Sequence, residues 1–79
     1  MALTELALRG EHITLDALLK ATGLAGSGGE AKLQIQAGEV AVNGEVDLRR
    51  GRKLRAGDVV TARGRRVQLT RPSPPPSSG

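Results

Sequence analysis

Two hydrophobic periods run along the chain, and the change from one to the other divides it. Leu15, Leu18, Leu19 and Thr22 recur at helical spacing with Ile13 just ahead, which predicts a short helix with one apolar stripe. Thr14 stands where an N-cap belongs, and Asp16 falls in the first turn, where the helix dipole favours negative charge. Gly23 can take the left-handed conformation that ends such a helix. Ser27 and Glu30 have capping-box spacing and open a second helix that runs to a stop at Gly38. Ala31 and Ile35 share the face that packs on the first helix, whereas Leu33 points elsewhere.

Beyond Gly38 the period becomes two. Val40 and Val42 alternate, Asn43-Gly44 is a strong hairpin signal, and Val46 with Leu48 continues on the far side. Lys53-Leu54-Arg55 leads into a turn at Ala56-Gly57-Asp58 and a strand over Val59-Val60-Thr61-Ala62. A second tight turn at Arg63-Gly64 or Gly64-Arg65 precedes Val67-Gln68-Leu69. At the other end, Leu3-Thr4-Glu5-Leu6-Ala7-Leu8 reads as a short edge strand broken at Gly10. The layout is α+β: two short packed helices followed by a small twisted antiparallel sheet, with a short N-terminal edge strand.

Length and composition narrow what this domain can hold. The 79 residues suit one domain over 1–70, followed by a Pro/Ser-rich tail over 71–79 with nothing apolar to bury. The sequence contains no Phe, Tyr or Trp, so the core is aliphatic and leaves no large cavity for a cofactor; none is expected. Absence of cysteine removes disulfides and thiolate chemistry, and a single histidine, His12, argues against an imidazole-built metal site. No apolar run approaches membrane-spanning length and the start lacks a signal-peptide pattern, so a cytoplasmic setting without a membrane partner is expected. A nucleophile paired with a base, a glycine-rich phosphate loop with its lysine and a metal-ligand cluster are all missing, so the expected role is binding, not catalysis.

Charge supplies the functional direction. Up to Asp47 there are three basic residues against seven acidic ones; over 48–71 there are nine against Asp58 alone. Arg49, Arg50, Arg52, Lys53 and Arg55 crowd into one short stretch, and Arg63, Arg65 and Arg66 surround a turn. Cations gathered in this way are the electrostatic footprint of a nucleic-acid binder. A solvated loop is the plain alternative for the first group, and a guard against edge-to-edge aggregation is the alternative for the second.

The order Leu15-Asp16-Ala17-Leu18-Leu19, Gly23-Leu24, Ser27, Ala31-Lys32, Ile35, then Gly38-Glu39-Val40-Ala41-Val42-Asn43-Gly44, Leu54-Arg55 and Gly57-Asp58-Val59-Val60 resembles the RNA-binding domain first described in small-subunit ribosomal protein four, the alpha-L motif. It is most similar to the stand-alone, single-domain bacterial members. The resemblance implies a monomeric binder of structured RNA, ribosomal or transfer, with ribosomal particles as a further partner. It also implies an RNA-facing surface formed by both helices and the following hairpin. Lys32 matches a commonly basic position, and Arg49, Arg50, Arg52 and Lys53 occupy the family's basic stretch after the hairpin. Thr14 and Gly28 stand where many members carry arginine. Bare Gly28 and Gly29 at a helix start are first a flexible cap, with their main-chain N–H groups open to a phosphate as a second role. Asn43 is first a turn residue, with RNA contact through its amide as a second role. Exchanging Arg49 and Arg52 for glutamate is expected to abolish binding with the fold intact. A β-grasp protein-interaction or sulfur-carrier module is the competing class, because Val-Asn-Gly followed by Gly-Asp-x-Val occurs there too.

Overall fold

The computed structural model describes residues 3–71, so all but the first residue of the proline-rich tail lies outside the described residues. Strand β1 (Leu3–Ala7) is followed by the two-residue β2 (Ile13–Thr14), then by α1 (Leu15–Ala21) and α2 (Gly28–Gln36). The remaining strands are β3 (Val40–Val42), β4 (Glu45–Val46), β5 (Lys53–Leu54), β6 (Val59–Ala62) and β7 (Arg65–Thr70). Five of them form one sheet in the order β1-β7-β6-β3-β4, and β2 pairs with β5 in a separate two-stranded ladder.

Alternation decides which side of the sheet is buried. Val40, Val42, Val60, Ala62, Val67 and Leu69 point to one side and join Leu15, Leu18, Leu19, Ala31 and Ile35 in a single core. The helical stripes read from the sequence are therefore the ones that close over the sheet. Gln34 is the polar exception within α2. It is buried, and its amide nitrogen donates to the Leu24 carbonyl at 2.9 Å, tying α2 to the chain that leaves α1. Leu33 is 68% exposed, in keeping with its position off the packed face.

The antiparallel sheet expected after the helices is present as β4-β3-β6-β7, and β1 adds to its edge in parallel, so the whole sheet is mixed. A period of two is the same for either direction. Parallel neighbours need a long connection, and here nearly the whole domain separates β1 from β7. Lys53 and Leu54 leave the main sheet to pair with Thr14 and Ile13. The strand after Asn43-Gly44 is only two residues long, and Val46 and Leu48 are exposed, not carried into the core.

The Asn43-Gly44 turn has left-handed residues where the sequence places them, and of the two alternatives for the second turn the structure has Arg63-Gly64. Asn43 and Gly44 have φ of 52° and 87°, and Arg63 and Gly64 have φ of 50° and 74°, the geometry of two-residue hairpins that follow the twist of their strands. Helix ends differ from expectation in two details. Ser27 Oγ accepts from the Glu30 N–H as the capping box requires, but Glu30 returns to the N–H of Gly26, one residue beyond the cap. Thr14 occupies the N-cap of α1 without a side-chain bond to the helix N–H groups, which find other partners. No helix of the described residues is long and apolar enough to cross a membrane.

Candidate functional site

The groups that replace Thr14 as the cap belong to the arginine-rich loop. The Leu15 N–H donates to the Arg52 carbonyl at 2.9 Å, and the Asp16 N–H donates to the Arg50 carbonyl at 3.1 Å. Helix starts leave their first N–H groups without internal partners, so the loop over residues 49–52 satisfies α1 and is fixed by it in return. Asp16 Oδ1 accepts from the next N–H, that of Ala17, at 2.8 Å.

A second anchor comes from Asp47, which the sequence left among the acids of the first half. Its side chain is 7% exposed, and both carboxylate oxygens are engaged. Oδ1 accepts from the Arg49 main-chain N–H at 2.9 Å and from Arg49 Nε at 3.2 Å. Oδ2 accepts from Arg49 Nη2 at 3.1 Å and from Arg52 Nη1 at 2.7 Å. The main-chain N–H of Asp47 donates to the Val40 carbonyl, which ties the arrangement to the start of β3. Arg49 bonding, through its guanidinium and then its main-chain N–H, holds the Asp47 carboxyl well below the usual carboxylate range against the opposing effect of burial, with Arg52 adding to it. One buried anion thus organises two arginines.

Arg49 nevertheless keeps 71% of its side chain exposed, and Arg52 keeps 34%. Arg50, Gly51 and Lys53 are exposed between and beyond them. Neither Arg50 nor Lys53 meets a carboxylate among the described residues, so both present undivided positive charge. Arg49, Gly51, Arg52 and Lys53 line one shallow, open depression. This geometry corrects the expectation that Arg49 and Arg52 can be reversed without harm to the fold, since both neutralise a buried carboxylate.

The other proposed residues fall into two places. Gly28, Gly29 and Lys32 are exposed, and the two glycines precede Lys32 by four and three residues, which puts each on the same face of α2 as the lysine. A Cβ at Gly28 would meet nothing within 4 Å, so the main chain there is open to approach. Asn43 and Arg55 flank Asp58 instead. Asn43 Nδ2 donates to Asp58 Oδ1 at 3.1 Å and its Oδ1 accepts from the Val59 N–H at 3.0 Å, so both ends of the amide join the hairpin to β6. Asp58 Oδ2 also accepts from the Arg55 N–H at 2.8 Å, which closes this turn locally. Arg55 lines a separate depression with Glu11, Ala56 and Arg71, on the other side of β5 in sequence from the loop. Among the described residues no cluster of His, Cys, Asp or Glu could hold a metal ion.

A match to the S4 domain model extends over residues 6–70, covering every helix and strand except the first three residues of β1. The chain belongs to the S4 domain family. Within it, this S4 domain is 52% identical over 54 residues to the probable ribosome maturation protein RlbA of Bacillus subtilis, covering 68% of this chain and 76% of the relative. It is 41% identical over 58 residues to the putative RNA-binding protein YbcJ of Escherichia coli, covering 73% of this chain and 83% of that one. The solution structure of YbcJ, described as having an alpha-L motif involved in RNA binding, superimposes with a TM-score of 0.64 at 38% identity, over 89% of this chain and 87% of the other. The S4 domain thus has the two-helix and mixed-sheet architecture of a stand-alone relative, and the β-grasp alternative finds no support.

Proposed function

We propose that this S4 domain is an RNA-binding module that holds folded RNA by its phosphate backbone, through the outward cations of residues 49–53 and the exposed face of α2. The observation that carries this reading is the loop itself. Arg50 and Lys53 project freely from a segment whose carbonyls cap α1 and whose neighbouring arginines are held by Asp47. A loop fixed in advance loses little conformational freedom when a ligand arrives, which favours affinity. Cations that meet phosphates release condensed counterions, and this supplies most sequence-independent RNA affinity.

Gly28, Gly29 and Lys32 extend the surface along α2, with bare main-chain N–H groups ahead of a lysine. Asn43 is assigned to turn architecture, because its amide is occupied at both ends. Arg55 contributes at the margin. With no aromatic side chain anywhere, recognition rests on RNA shape and phosphate position, not on stacking of splayed bases over aromatic rings. The Bacillus relative is named for ribosome maturation, so structured ribosomal RNA in an immature particle is the proposed partner, ahead of transfer RNA. The module binds as a single chain in the cytoplasm and performs no chemistry of its own.

The test replaces Arg50 and Lys53 with glutamine, which leaves both the α1 cap and the Asp47 cluster in place. Binding to purified ribosomal RNA and to transfer RNA is measured across a salt series. On single-stranded RNA about four to six phosphate contacts give a log–log salt slope of roughly −3 to −4, and loss of two makes it shallower by about 1.4. Wild-type affinity and slope in the double variant, on every RNA tried, would remove the proposal.

A further inference from the structure

Arg63, Arg65 and Arg66 surround the turn between β6 and β7, and their placement does not match a solubility device. Basic residues guard sheet edges against pairing with other chains. Neither β6 nor β7 is an edge: β7 lies between β1 and β6, and β6 lies between β7 and β3. Turn geometry does not call for arginine either. The Asn43-Gly44 hairpin has nearly the same left-handed pair of φ angles and uses asparagine, a residue that adopts them at little cost. Arg63 adopts φ of 50° despite a side chain that disfavours it.

The tip also comes close to α2. Arg63 Nη1 lies 3.6 Å from Glu30 Oε1, and Glu30 in turn accepts from the Gly26 N–H at 3.0 Å. This solvent-exposed pair puts the hairpin beside the first turn of α2. In β7, Arg65 pairs with Ala62 and so stands on the helix side of the sheet, whereas Arg66 pairs with Thr61 and stands on the open side. Both are exposed, and among the described residues neither meets a carboxylate within 4.0 Å. The 49–53 loop caps the start of α1, whereas the tip sits by the start of α2, reached from the far end of α1 through a short connection. Asp47 bonds to Val40, Val40 pairs with Ala62 and Ala62 pairs with Arg65, so the loop's anchor and the tip lie at the same end of the sheet, three strand spacings or roughly 14 Å apart.

We infer that the β6–β7 tip is a second RNA contact, in which Arg65 and Arg66, on the two sides of the exposed tip, straddle a backbone segment of the same folded RNA that the 49–53 loop holds. This rests on the RNA-binding reading above. A fixed spacing between two cationic groups lets the domain select RNA in which two backbone segments converge, something one loop alone does not measure.

The full chain is compared with Arg65→Gln/Arg66→Gln, with Arg50→Gln/Lys53→Gln and with the charge-keeping Arg65→Lys/Arg66→Lys. Purified ribosomal RNA and polyuridylate serve as probes across a salt series, and thermal unfolding confirms that each variant folds. In the tip glutamine variant, loss of two contacts makes the polyuridylate salt slope shallower by about 1.4 and lowers affinity roughly 25-fold near 0.1 M salt. The lysine variant retains most of both. The tip variant also loses more on ribosomal RNA than on polyuridylate, because only the folded RNA offers two converging segments. Wild-type binding by the tip variant, alongside lost binding by the loop variant, overturns this inference and leaves the loop reading standing. Lost binding by the tip variant alone supports the tip and overturns the loop.

Discussion

Removing the Asp47 carboxylate is the perturbation whose consequence the structure defines most closely. The buried carboxylate accepts from the Arg49 main-chain N–H at 2.9 Å and from Arg52 Nη1 at 2.7 Å, besides the two bonds from the largely solvated Arg49 guanidinium. A main-chain N–H bond of this kind contributes about 1 kcal/mol net. The Arg52 pair, with one side chain still a third exposed, contributes about 1 kcal/mol after solvent screening. No share is assigned to the solvated Arg49 guanidinium. Asp47→Ala therefore costs about 2 kcal/mol, from a domain whose size supports only about 3–5 kcal/mol in all. For a domain of this length that corresponds to a fall in Tm of roughly 8–16 °C. Asp47→Asn keeps an acceptor for the Arg49 N–H and recovers about half of the loss.

Acid titration supplies the sign. The native Asp47 carboxyl is a stronger acid than its unfolded counterpart, so the unfolded chain binds more protons at low pH. Its stabilisation is complete above the unfolded value of about 3.9 and is lost as pH falls from there toward the depressed native value. The stability gap between wild type and Asp47→Asn, followed by circular dichroism, is accordingly constant from about pH 7 to 5 and closes below about pH 4. A Tm for Asp47→Ala within about 2 °C of wild type would refute the assignment of Asp47 as the loop's organiser. So would a gap that persists undiminished at the lowest pH at which wild type stays folded.

Other predictions follow from the same geometry. Arg49→Glu with Arg52→Glu sets two acids against a buried third, so guanidinium-chloride unfolding shows a larger loss of stability than in Arg50→Gln/Lys53→Gln, which stays close to wild type. Asn43→Ala loses the acceptor for the Val59 N–H and places alanine at φ of 52°, for a combined cost of about 2 kcal/mol in chemical unfolding. Asn43→Gly keeps the turn and recovers the strain but not the bond, and both variants retain the RNA affinity of wild type at temperatures where they are folded. In salt-dependent RNA titrations, Arg50→Gln/Lys53→Gln and Arg65→Gln/Arg66→Gln each make the slope shallower, and their combination adds the two effects.

Local chemistry determined most of the elements. The apolar spacing of Leu15, Leu18 and Leu19, the capping pair Ser27 and Glu30, the stop at Gly38 and both hairpin turns were all legible, because each depends on residues within a few positions. Net charge and its concentration after Asp47 were equally plain, as was the resemblance that pointed to RNA. Tertiary structure alone decided how those charges are used. Asp47 with Arg49 and Arg52 has no motif spacing, and what makes it an organiser is its burial beside the start of β3. Strand direction for β1 was beyond a period of two, since side chains alternate identically in parallel and antiparallel partners. The division of the arginines into a loop at the start of α1 and a tip at the start of α2 likewise arose only in three dimensions. Sequence order places Arg55 next to the loop, yet it lines a different depression, with Glu11 and Arg71, and not the one lined by Arg49, Gly51, Arg52 and Lys53. Proximity along the chain follows from covalent connection, whereas proximity on a surface depends on which distant segments the core brings together.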